Sequence, residues 1–387
     1  MNIMFVAIFP MVPSIGGVQR VTEILTKEMQ SRGHNIIYVA YDRKEKMSYG
    51  KFAAPQYFVE VNNRKDIEIQ SELKEIVDKN HITHVICQNL GNSAFIKFLP
   101  SNLKIVTVCH TQPYPKDSIT RKQILSGNVT GLPQVVFKYI SYCFPIIARH
   151  YAASVENKRL QSAFDVSNKV CFISDRFYGR VTKHLPHILP SQLAAINNPN
   201  LGCNASYDEA CKENIVLWVG RVYDSTKNTI DFVKAWEIVS KDYPDWKAWV
   251  VGDGKSVNSN KEYILEHNIQ NIEYLGRRED VFDLYKKSKI AAVTSWSESW
   301  CMVVIEAMTN GCVPVVYDTY ETVRDIIDNN QDGIICVPTP TDLASKISQL
   351  ITDENKRQVI AQNAVTKVDK FSVSKIVDQW EQLLNSL

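Results

Sequence analysis

Residues 290–311, IAAVTSWSESWCMVVIEAMTNG, form one complete strand–turn–helix unit in the sequence. The apolar run 290–296 predicts a buried strand, residues 297–302 a turn, and residues 303–311 a helix that closes at Gly311. Two acids interrupt this apolar unit, Glu298 in the turn and Glu306 in the early turns of the helix. A strand followed directly by a helix is the building block of a parallel sheet, so this stretch predicts an α/β protein.

Short apolar runs alternate with helical segments on both sides of this unit. In the second half of the chain they are IVLWVGR (215–221), WKAWVVGDG (246–254), IEYLG (272–276), CVPVVYD (312–318) and GIICV (333–337). In the first half they are NIMFVAIF (2–9), NIIYVAY (35–41), THVICQ (83–88), LKIVTVCH (103–110) and KVCFIS (169–174). Residues 196–214 are rich in Asn and small residues and break the pattern as a linker does. The alternation predicts two doubly wound, Rossmann-like parallel-sheet domains, residues 1–200 and 201–370, that face a central cleft.

Composition agrees with an ordinary globular protein of two domains. The chain has 387 residues, of which 45% are hydrophobic and 22% charged, and 44 Lys+Arg against 42 Asp+Glu leave a net charge of only +2. That balance gives no reason to expect a nucleic-acid partner. The nine cysteines are scattered, without the paired spacing of a zinc or redox motif, and the N-terminal apolar run is too short to span a bilayer. We expect reduced thiols and a cytoplasmic protein.

Several residues at predicted strand ends suit an anionic ligand. Gly16 and Gly17 follow the first strand and begin a helix, where free N–H groups can face an anion. Arg221 ends a strand in the second half, and Lys227 lies six residues later at the start of the next helix. A tight glycine turn and two solvated loop cations remain the open alternatives.

The two glutamates complete the pattern of a sugar-nucleotide site. Glu298 and Glu306 can each accept hydrogen bonds from the hydroxyls of a polyol, and the backbone N–H groups between them can hold phosphate, which is the order hexose, diphosphate, ribose. The intervening residues that complete this donor site are Ser299, Trp300, Cys301 and Met302. Helix capping or a surface ion pair is the alternative for either acid alone.

These motifs resemble the retaining family-four glycosyltransferases of the GT-B fold. The resemblance rests on VGR with a lysine six residues after its arginine, VVGDG, YLGRREDVFDLYKKSKI, the two glutamates and GCVPVV, and it spans nearly all of residues 214–340. The first domain agrees more loosely, through GGVQRVTEIL, VTVCHTQ with His110, VCFISDRF with Ser174, and INNPN.

The resemblance implies roles for the candidate residues. Arg221 and Lys227 would grip the donor diphosphate, Glu306 would accept from the ribose, and Glu298 would contact the transferred sugar. His110 would lie beside the reacting carbon. The nucleotide-sugar donor would bind the second domain and a glycan or lipid-linked saccharide acceptor mostly the first, while residues 371–387 would form a last helix that crosses back to the first domain.

The sequence departs from the family pattern at two places. Ser299 and Cys301 stand where many relatives have glycine, and Arg324-Asp325 replaces the usual Pro-Glu pair. The chain has no Asp-x-Asp triplet, so we expect transfer without a metal or other cofactor, with Arg221 and Lys227 neutralising the diphosphate. A non-catalytic nucleotide-sugar-binding subunit, and a sugar-nucleotide epimerase or phosphorylase of the same architecture, are the alternatives.

The region from Arg121 to Pro190 is basic, with ten Lys/Arg and three Asp/Glu. Within it, residues 131–154 are mostly apolar but carry Lys138, Pro145 and Arg149, which makes them a poor membrane-spanning segment. Two interpretations stay open: a buried helix pair, or a helix that lies reversibly on an anionic membrane surface and makes the protein peripheral at the inner face of the membrane.

Overall fold

The computed structural model describes residues 1–12, 16–42, 52–114, 145–200 and 205–387. Contacts divide the chain into two compact units. Unit 1 consists of Met1–Pro199 with Val373–Leu387, and unit 2 of Asn200–Ser372. Each unit is built on one parallel sheet, which confirms the two doubly wound α/β layers predicted from the sequence.

Unit 1 contains a seven-stranded parallel sheet in the order β3-β2-β1-β4-β5-β6-β7. Its strands are β1 Asn2–Ala7, β2 Asn35–Ala40, β3 Gln56–Phe58, β4 His84–Cys87, β5 Lys104–Cys109, β6 Lys169–Phe172 and β7 Leu193–Ala195. Its helices before the linker are α1 Gly17–Ser31, α2 Asp66–Lys79, α3 Ser93–Ile96, α4 Pro145–Val166 and α5 Tyr178–His184. The strand order reverses between β1 and β4, which is where ligands bind in sheets of this kind.

Unit 2 contains a six-stranded parallel sheet in the order β10-β9-β8-β11-β12-β13. Its strands are β8 Glu213–Val219, β9 Lys247–Val251, β10 Ile272–Gly276, β11 Ser288–Val293, β12 Val313–Tyr317 and β13 Ile334–Cys336. Its helices are α6 Thr229–Asp242, α7 Val257–Glu266, α8 Val281–Lys287, α9 Met302–Thr309, α10 Val323–Ile326, α11 Pro340–Thr352 and α12 Glu354–Lys367. Here the order reverses between β8 and β11.

The last helix, α13 Val373–Asn385, belongs to unit 1 and packs on α1. Its buried face includes Ile376, Val377, Trp380 and Leu384. Arg32, at the end of α1, donates to Asp378 at 2.5 Å and to Glu381 at 3.0 Å. An apolar stripe flanked by ion pairs therefore holds the C-terminal helix on the first sheet's unit.

The core strands of both sheets are almost fully buried, as expected for parallel sheets covered by helices on both faces. The seven cysteines among the described residues are all free thiols, six of them buried. No helix in the described ranges is both long enough and apolar enough to cross a membrane.

Candidate functional site

Two adjacent strands of unit 2 bring the central polar pair together. Arg221 and Lys227 follow β8, and Glu298 follows β11, which is its neighbour at the reversal of strand order. The ammonium of Lys227 donates a hydrogen bond to Oε1 of Glu298. Lys227 and Glu298 are 71 positions apart in the sequence, and it is the adjacency of β8 and β11 that brings them into contact.

The Thr294 hydroxyl aligns the two loops that carry this pair. Its Oγ1 donates to the backbone carbonyls of Lys227 and Asn228, both at 2.9 Å, and accepts from Nε1 of buried Trp218 at 3.0 Å. The backbone N–H of Trp296 donates to the carbonyl of Thr226 at 2.9 Å. Because both loops are joined on either side of Lys227, the pair has little freedom to separate by loop motion.

The start of α6 also depends on an unusual backbone conformation. Asn228 precedes the helix with φ 53°, in the left-handed region that asparagine tolerates better than most residues. Its side-chain amide donates to Asp231 at 2.7 Å, one turn into the helix. Lys227 therefore directly precedes a sharp change in the direction of the backbone.

Electrostatics favour a charged pair in a nearly dry environment. Burial by itself lowers the pKa of the Lys227 ammonium, but the carboxylate of Glu298 outweighs this, so the pKa is raised from its usual value. The charge of Arg221 opposes protonation of Lys227, as expected for a second cation nearby. Arg221 itself is exposed to solvent.

A small pocket adjoins the pair, with a volume of about 10 Å³, which is room for about one water molecule. Its lining includes Lys227, Thr294, Glu298 and Cys301. Burial, reinforced by the charge of Glu298, raises the pKa of the Cys301 thiol to about 12, so this sulfur stays protonated near neutral pH. Cys301 therefore lines the site without being an activated nucleophile.

The rest of the predicted donor loop leads into α9. Ser299 is half-buried, Cys301 caps the helix, and Met302 is its first residue. Trp300 is buried, and its ring meets Phe371 edge-on with 5.4 Å between centroids. The helix begins one residue earlier than the sequence predicted, because Met302 already has helical geometry.

Glu306 lies deeper than Glu298, on the second turn of α9. Its side chain is buried, and the Tyr285 hydroxyl donates to its carboxylate at 3.5 Å. Burial, reinforced by the negative charge of Glu306, raises the pKa of Tyr285 well above its usual value. The two glutamates thus occupy different environments, one paired with an ammonium and one beside a phenol.

Arg324, the first of the two residues that replace the usual family pair, contacts a strand end of unit 2. Arg324 donates two hydrogen bonds to the carboxylate of Asp318, at 2.6 and 2.7 Å, directly after β12. The Thr319 hydroxyl donates to the carbonyl of Ser295 at 2.5 Å and so ties this strand end to that of β11. A fork-shaped ion pair therefore borders the loop that leads to Glu298.

Unit 1 carries the remaining predicted residues at the carboxyl ends of its strands. Gly17 is the first residue of α1, which follows β1, and Gly16 precedes it. His110 follows β5, and its Nε2 lies 2.5 Å from Oε1 of Gln88, which follows the adjacent strand β4. Because a carbonyl oxygen only accepts, Nε2 carries the hydrogen.

Desolvation lowers the pKa of His110 to about 4, so the imidazole is neutral near pH 7. Sequence reasoning missed Gln88, Thr294 and Asn228. Gln88 and Thr294 do carry a signal, because each is the first polar residue at the carboxyl end of an apolar strand. The left-handed conformation of Asn228 has no comparable sequence signature.

Family models match both halves of the chain. "Glycosyltransferase Family 4" matches residues 15–168, and "Glycosyl transferases group 1" matches residues 205–367.

Several curated relatives are named as glycosyltransferases. An α-1,4-N-acetyl-D-galactosaminyltransferase of Campylobacter jejuni, named for its polyprenyl-diphosphate-linked saccharide acceptor, is 29% identical over 59% of this chain and 62% of its own length. The chain thus spans less than two thirds of that relative. The N-acetyl-α-D-glucosaminyl L-malate synthase of Bacillus anthracis is 22% identical over 96% of this chain and 94% of its own.

Among solved structures, HepE of Anabaena in complex with UDP superposes with a TM-score of 0.73 at 16% identity, and the match covers 100% of both chains. This similarity confirms the GT-B fold that the sequence predicted. With a family-four match over its first half and a group 1 match over its second, the chain belongs to the family-four glycosyltransferases.

Proposed function

We propose that this protein transfers a sugar from a nucleoside-diphosphate sugar to a glycan or lipid-linked saccharide, in the synthesis of a polysaccharide or glycoconjugate. The observation that carries this proposal is the Lys227–Glu298 pair at the β8/β11 reversal, with Arg221 close by. Two cations and a carboxylate at one strand-end site suit a ligand that joins a diphosphate to a polyol.

The candidate residues divide the donor between them. Arg221 and Lys227 hold the diphosphate, Glu298 accepts from hydroxyls of the transferred sugar, and Glu306 accepts from the ribose. The N–H groups of residues 299–302 face the phosphates. Gly16 and Gly17, at the start of α1, are the donor-binding candidates of unit 1, where helix N–H groups can face an anion. The UDP bound to HepE supports a uridine nucleotide as the first donor to test.

Charge development explains why these residues would accelerate transfer. As the bond between the anomeric carbon and the diphosphate oxygen breaks, positive charge grows on the sugar ring and negative charge on the leaving oxygens. Arg221, Lys227 and the helix N–H groups stabilise the leaving diphosphate, so no metal ion is needed to bridge it. The acceptor oxygen bonds to the anomeric carbon on the same face that the diphosphate leaves, and the hydroxyl proton passes to the departing phosphate. Because attack and departure share one face, the anomeric configuration is retained.

His110 has a role that fits its neutral state. An imidazole that stays uncharged adds no positive charge beside a carbon that is itself becoming positive. Its Nδ1, which carries no hydrogen, can accept a hydrogen bond from a sugar hydroxyl instead. The buried thiol of Cys301, with its raised pKa, is unsuited to forming a covalent intermediate.

The deciding experiment measures nucleoside diphosphate release from UDP-, GDP- and ADP-sugars, with and without saccharide acceptors. Acceptor-dependent release supports transfer. Binding without release would identify a nucleotide-sugar-binding subunit, and conversion of the sugar without an acceptor would identify an epimerase. A thermal-shift screen with the free nucleotides selects the donor first, since a ligand at 100 times its Kd adds about 2.7 kcal/mol to stability.

We also propose that the basic part of unit 1 contacts anionic membrane surfaces. Residues 131–144 of the apolar segment lie outside the described ranges, but residues 145–154 form the first turns of α4. Ile146, Tyr151 and Val155 are exposed there, followed by exposed Lys158 and Arg159. Exposed apolar side chains beside cations suit a helix that lies at a lipid interface and meets a lipid-linked acceptor.

A further inference from the structure

The site proposed for the donor diphosphate is already occupied by an internal anion. Glu298 contacts the ammonium of Lys227 directly, and both side chains are largely buried, with exposures of 13% and 22%. The adjoining pocket has room for about one water molecule. A diphosphate can therefore reach Lys227 only if the carboxylate of Glu298 moves aside or shares the ammonium.

Hydrogen bonds between the two loops fix the backbone positions from which Lys227 and Glu298 make their contact. Thr294 joins its own loop to the carbonyls of Lys227 and Asn228, and the N–H of Trp296 is bonded to the carbonyl of Thr226. These bonds fix the backbone on both sides of the pair. The ion pair therefore has to be opened by movement of the side chains, while the loops stay in place.

Charge makes this opening costly for an anionic ligand. A nucleoside diphosphate carries two to three negative charges, and bringing it beside a buried carboxylate adds repulsion in a region of low dielectric. The same carboxylate returns to Lys227 when the diphosphate leaves. The ion pair thus weakens the binding of diphosphate and favours its release.

We infer that Glu298 is an intramolecular counter-ion that holds the Lys227 site in the absence of donor and competes with the diphosphate for it. This inference rests on the proposed function, which it deepens by giving Glu298 a second role in the release of the nucleoside diphosphate product. The sugar of an intact donor compensates for the lost ion pair, because its hydroxyls bond to the displaced carboxylate. A product without the sugar offers no such compensation.

Isothermal titration with inorganic pyrophosphate and with UDP tests this inference. Pyrophosphate has neither sugar nor ribose, so its Kd reports the anion site alone. In Glu298→Gln and in Glu298→Ala we expect the Kd for pyrophosphate to fall tenfold or more relative to the wild type. Glu306→Gln is the matched control, because it replaces a buried glutamate of the same helix–loop unit that does not contact Lys227. The Kd of this variant for pyrophosphate should differ less than threefold from that of the wild type.

A second readout uses thermal stability without any turnover. Removing Glu298 leaves the Lys227 ammonium buried without its carboxylate, so the ligand-free variants should melt below the wild type, and pyrophosphate should raise their Tm by more than it raises that of the wild type. Lys227→Met should remove the gain in affinity when combined with Glu298→Gln.

The inference is overturned if both Glu298 variants bind pyrophosphate as weakly as the wild type or more weakly. Its failure differs from failure of the proposed function. If the wild type transfers sugar but the Glu298 variants gain no affinity, only the counter-ion role is wrong. If the variants gain affinity and no sugar nucleotide is ever turned over, the counter-ion role stands and the transferase proposal fails.

Discussion

At the scale of single residues, the proposed donor site depends on charges that are kept close together and away from bulk water. Lys227 and Glu298 lie in a region where an unpaired charge is strongly disfavoured, so each residue requires either its partner or a ligand. Arg221 differs, because it is exposed and keeps its charge in solvent. Removal of Lys227 therefore leaves a buried carboxylate unpaired, whereas removal of Arg221 does not.

Replacing Arg221 or Lys227 by Ala should lower kcat by about two to three orders of magnitude, comparable to the loss of one preorganised donor to a developing anion. Initial rates of nucleoside diphosphate release would measure this. Circular dichroism should show that the Arg221 variant keeps its fold, and the Lys227 variant should lose stability because Glu298 is left unpaired. Unchanged turnover in both variants would end the diphosphate assignment.

His110 gives unit 1 a pH dependence with a definite sign. The folded protein protonates His110 only below a pKa of about 4, whereas the unfolded chain protonates it near 6.5. The unfolded state therefore binds more protons between these values, and the free energy of unfolding should fall by up to about 3 kcal/mol as the pH falls through this window.

Urea unfolding at several pH values, in the wild type and in His110→Asn, would measure that dependence. The variant lacks the titrating imidazole, so its stability should fall less steeply between pH 6.5 and pH 4. Parallel slopes for the two proteins would show that burial of His110 does not control the acid sensitivity of unit 1.

At the scale of elements, the site depends on how closely the strand ends of unit 2 approach one another. The backbone of Gly252, after β9, has φ 132°, and a Cβ there would lie 1.8 Å from the carbonyl oxygen of Gly220. The backbone N–H of Gly220 donates to the carbonyl of Val251 at 3.0 Å. The N–H of Val222 donates to the backbone carbonyl of Asp253, also at 3.0 Å. The loop that carries Arg221 is thus built against the backbone of the next loop.

Gly252→Ala should consequently destabilise unit 2 by about 3 kcal/mol or more, because it combines a backbone clash with a strained φ. Circular dichroism would follow the unfolding of both units, and tryptophan fluorescence that of unit 2, since six of the seven tryptophans belong to it. Gly179→Ala is the control: nothing lies within 4 Å of its added Cβ, and the residue is helical. An equal, small effect of both substitutions would contradict the close approach.

At the scale of the whole molecule, each unit carries its own sheet and its own set of candidate site residues, and the chain returns to unit 1 for its last helix. The start of α4 exposes large apolar side chains on unit 1, unlike the polar loops at the strand ends of unit 2. Exposed Ile146, Tyr151 and Val155 are followed there by exposed Lys158 and Arg159, a composition that suits an interfacial helix.

Sedimentation with lipid vesicles tests that surface. The protein should sediment with anionic vesicles at low salt, dissociate from them at high salt, and not bind neutral vesicles. The reason is that each interfacial cation contributes about 1 kcal/mol of binding free energy, which salt screens. Tyr151→Ser should weaken binding, whereas Leu265→Ser, which removes an exposed apolar side chain from unit 2, should not. Protein that stays in the supernatant with anionic vesicles at low salt would exclude the membrane contact.

The sequence by itself determined the type and order of most elements. Apolar runs of four to seven residues alternate with helical segments, and this local pattern is enough to predict β1, β2, β4 to β6 and all six strands of unit 2. The three-residue edge strands β3 and β7 were missed, whereas β13, also an edge strand of three residues, was predicted because it lies inside the apolar run GIICV. The sequence also identified Arg221, Lys227, Glu298 and Glu306 as candidates, since charged residues directly after apolar strands, or inside an apolar helix, are conspicuous.

Only the tertiary structure decided which of these residues meet. The contact of Lys227 with Glu298 requires that β8 and β11 be neighbours, and strand order in a parallel sheet is set by long crossover connections that no local pattern encodes. The contact of His110 with Gln88 likewise requires that β4 lie beside β5, and the Thr294 bonds require two loops to approach within hydrogen-bonding distance. The sequence thus supplied the chemical groups, and packing of distant segments supplied their partners, because pairing energies depend on distances that exist only in the folded chain.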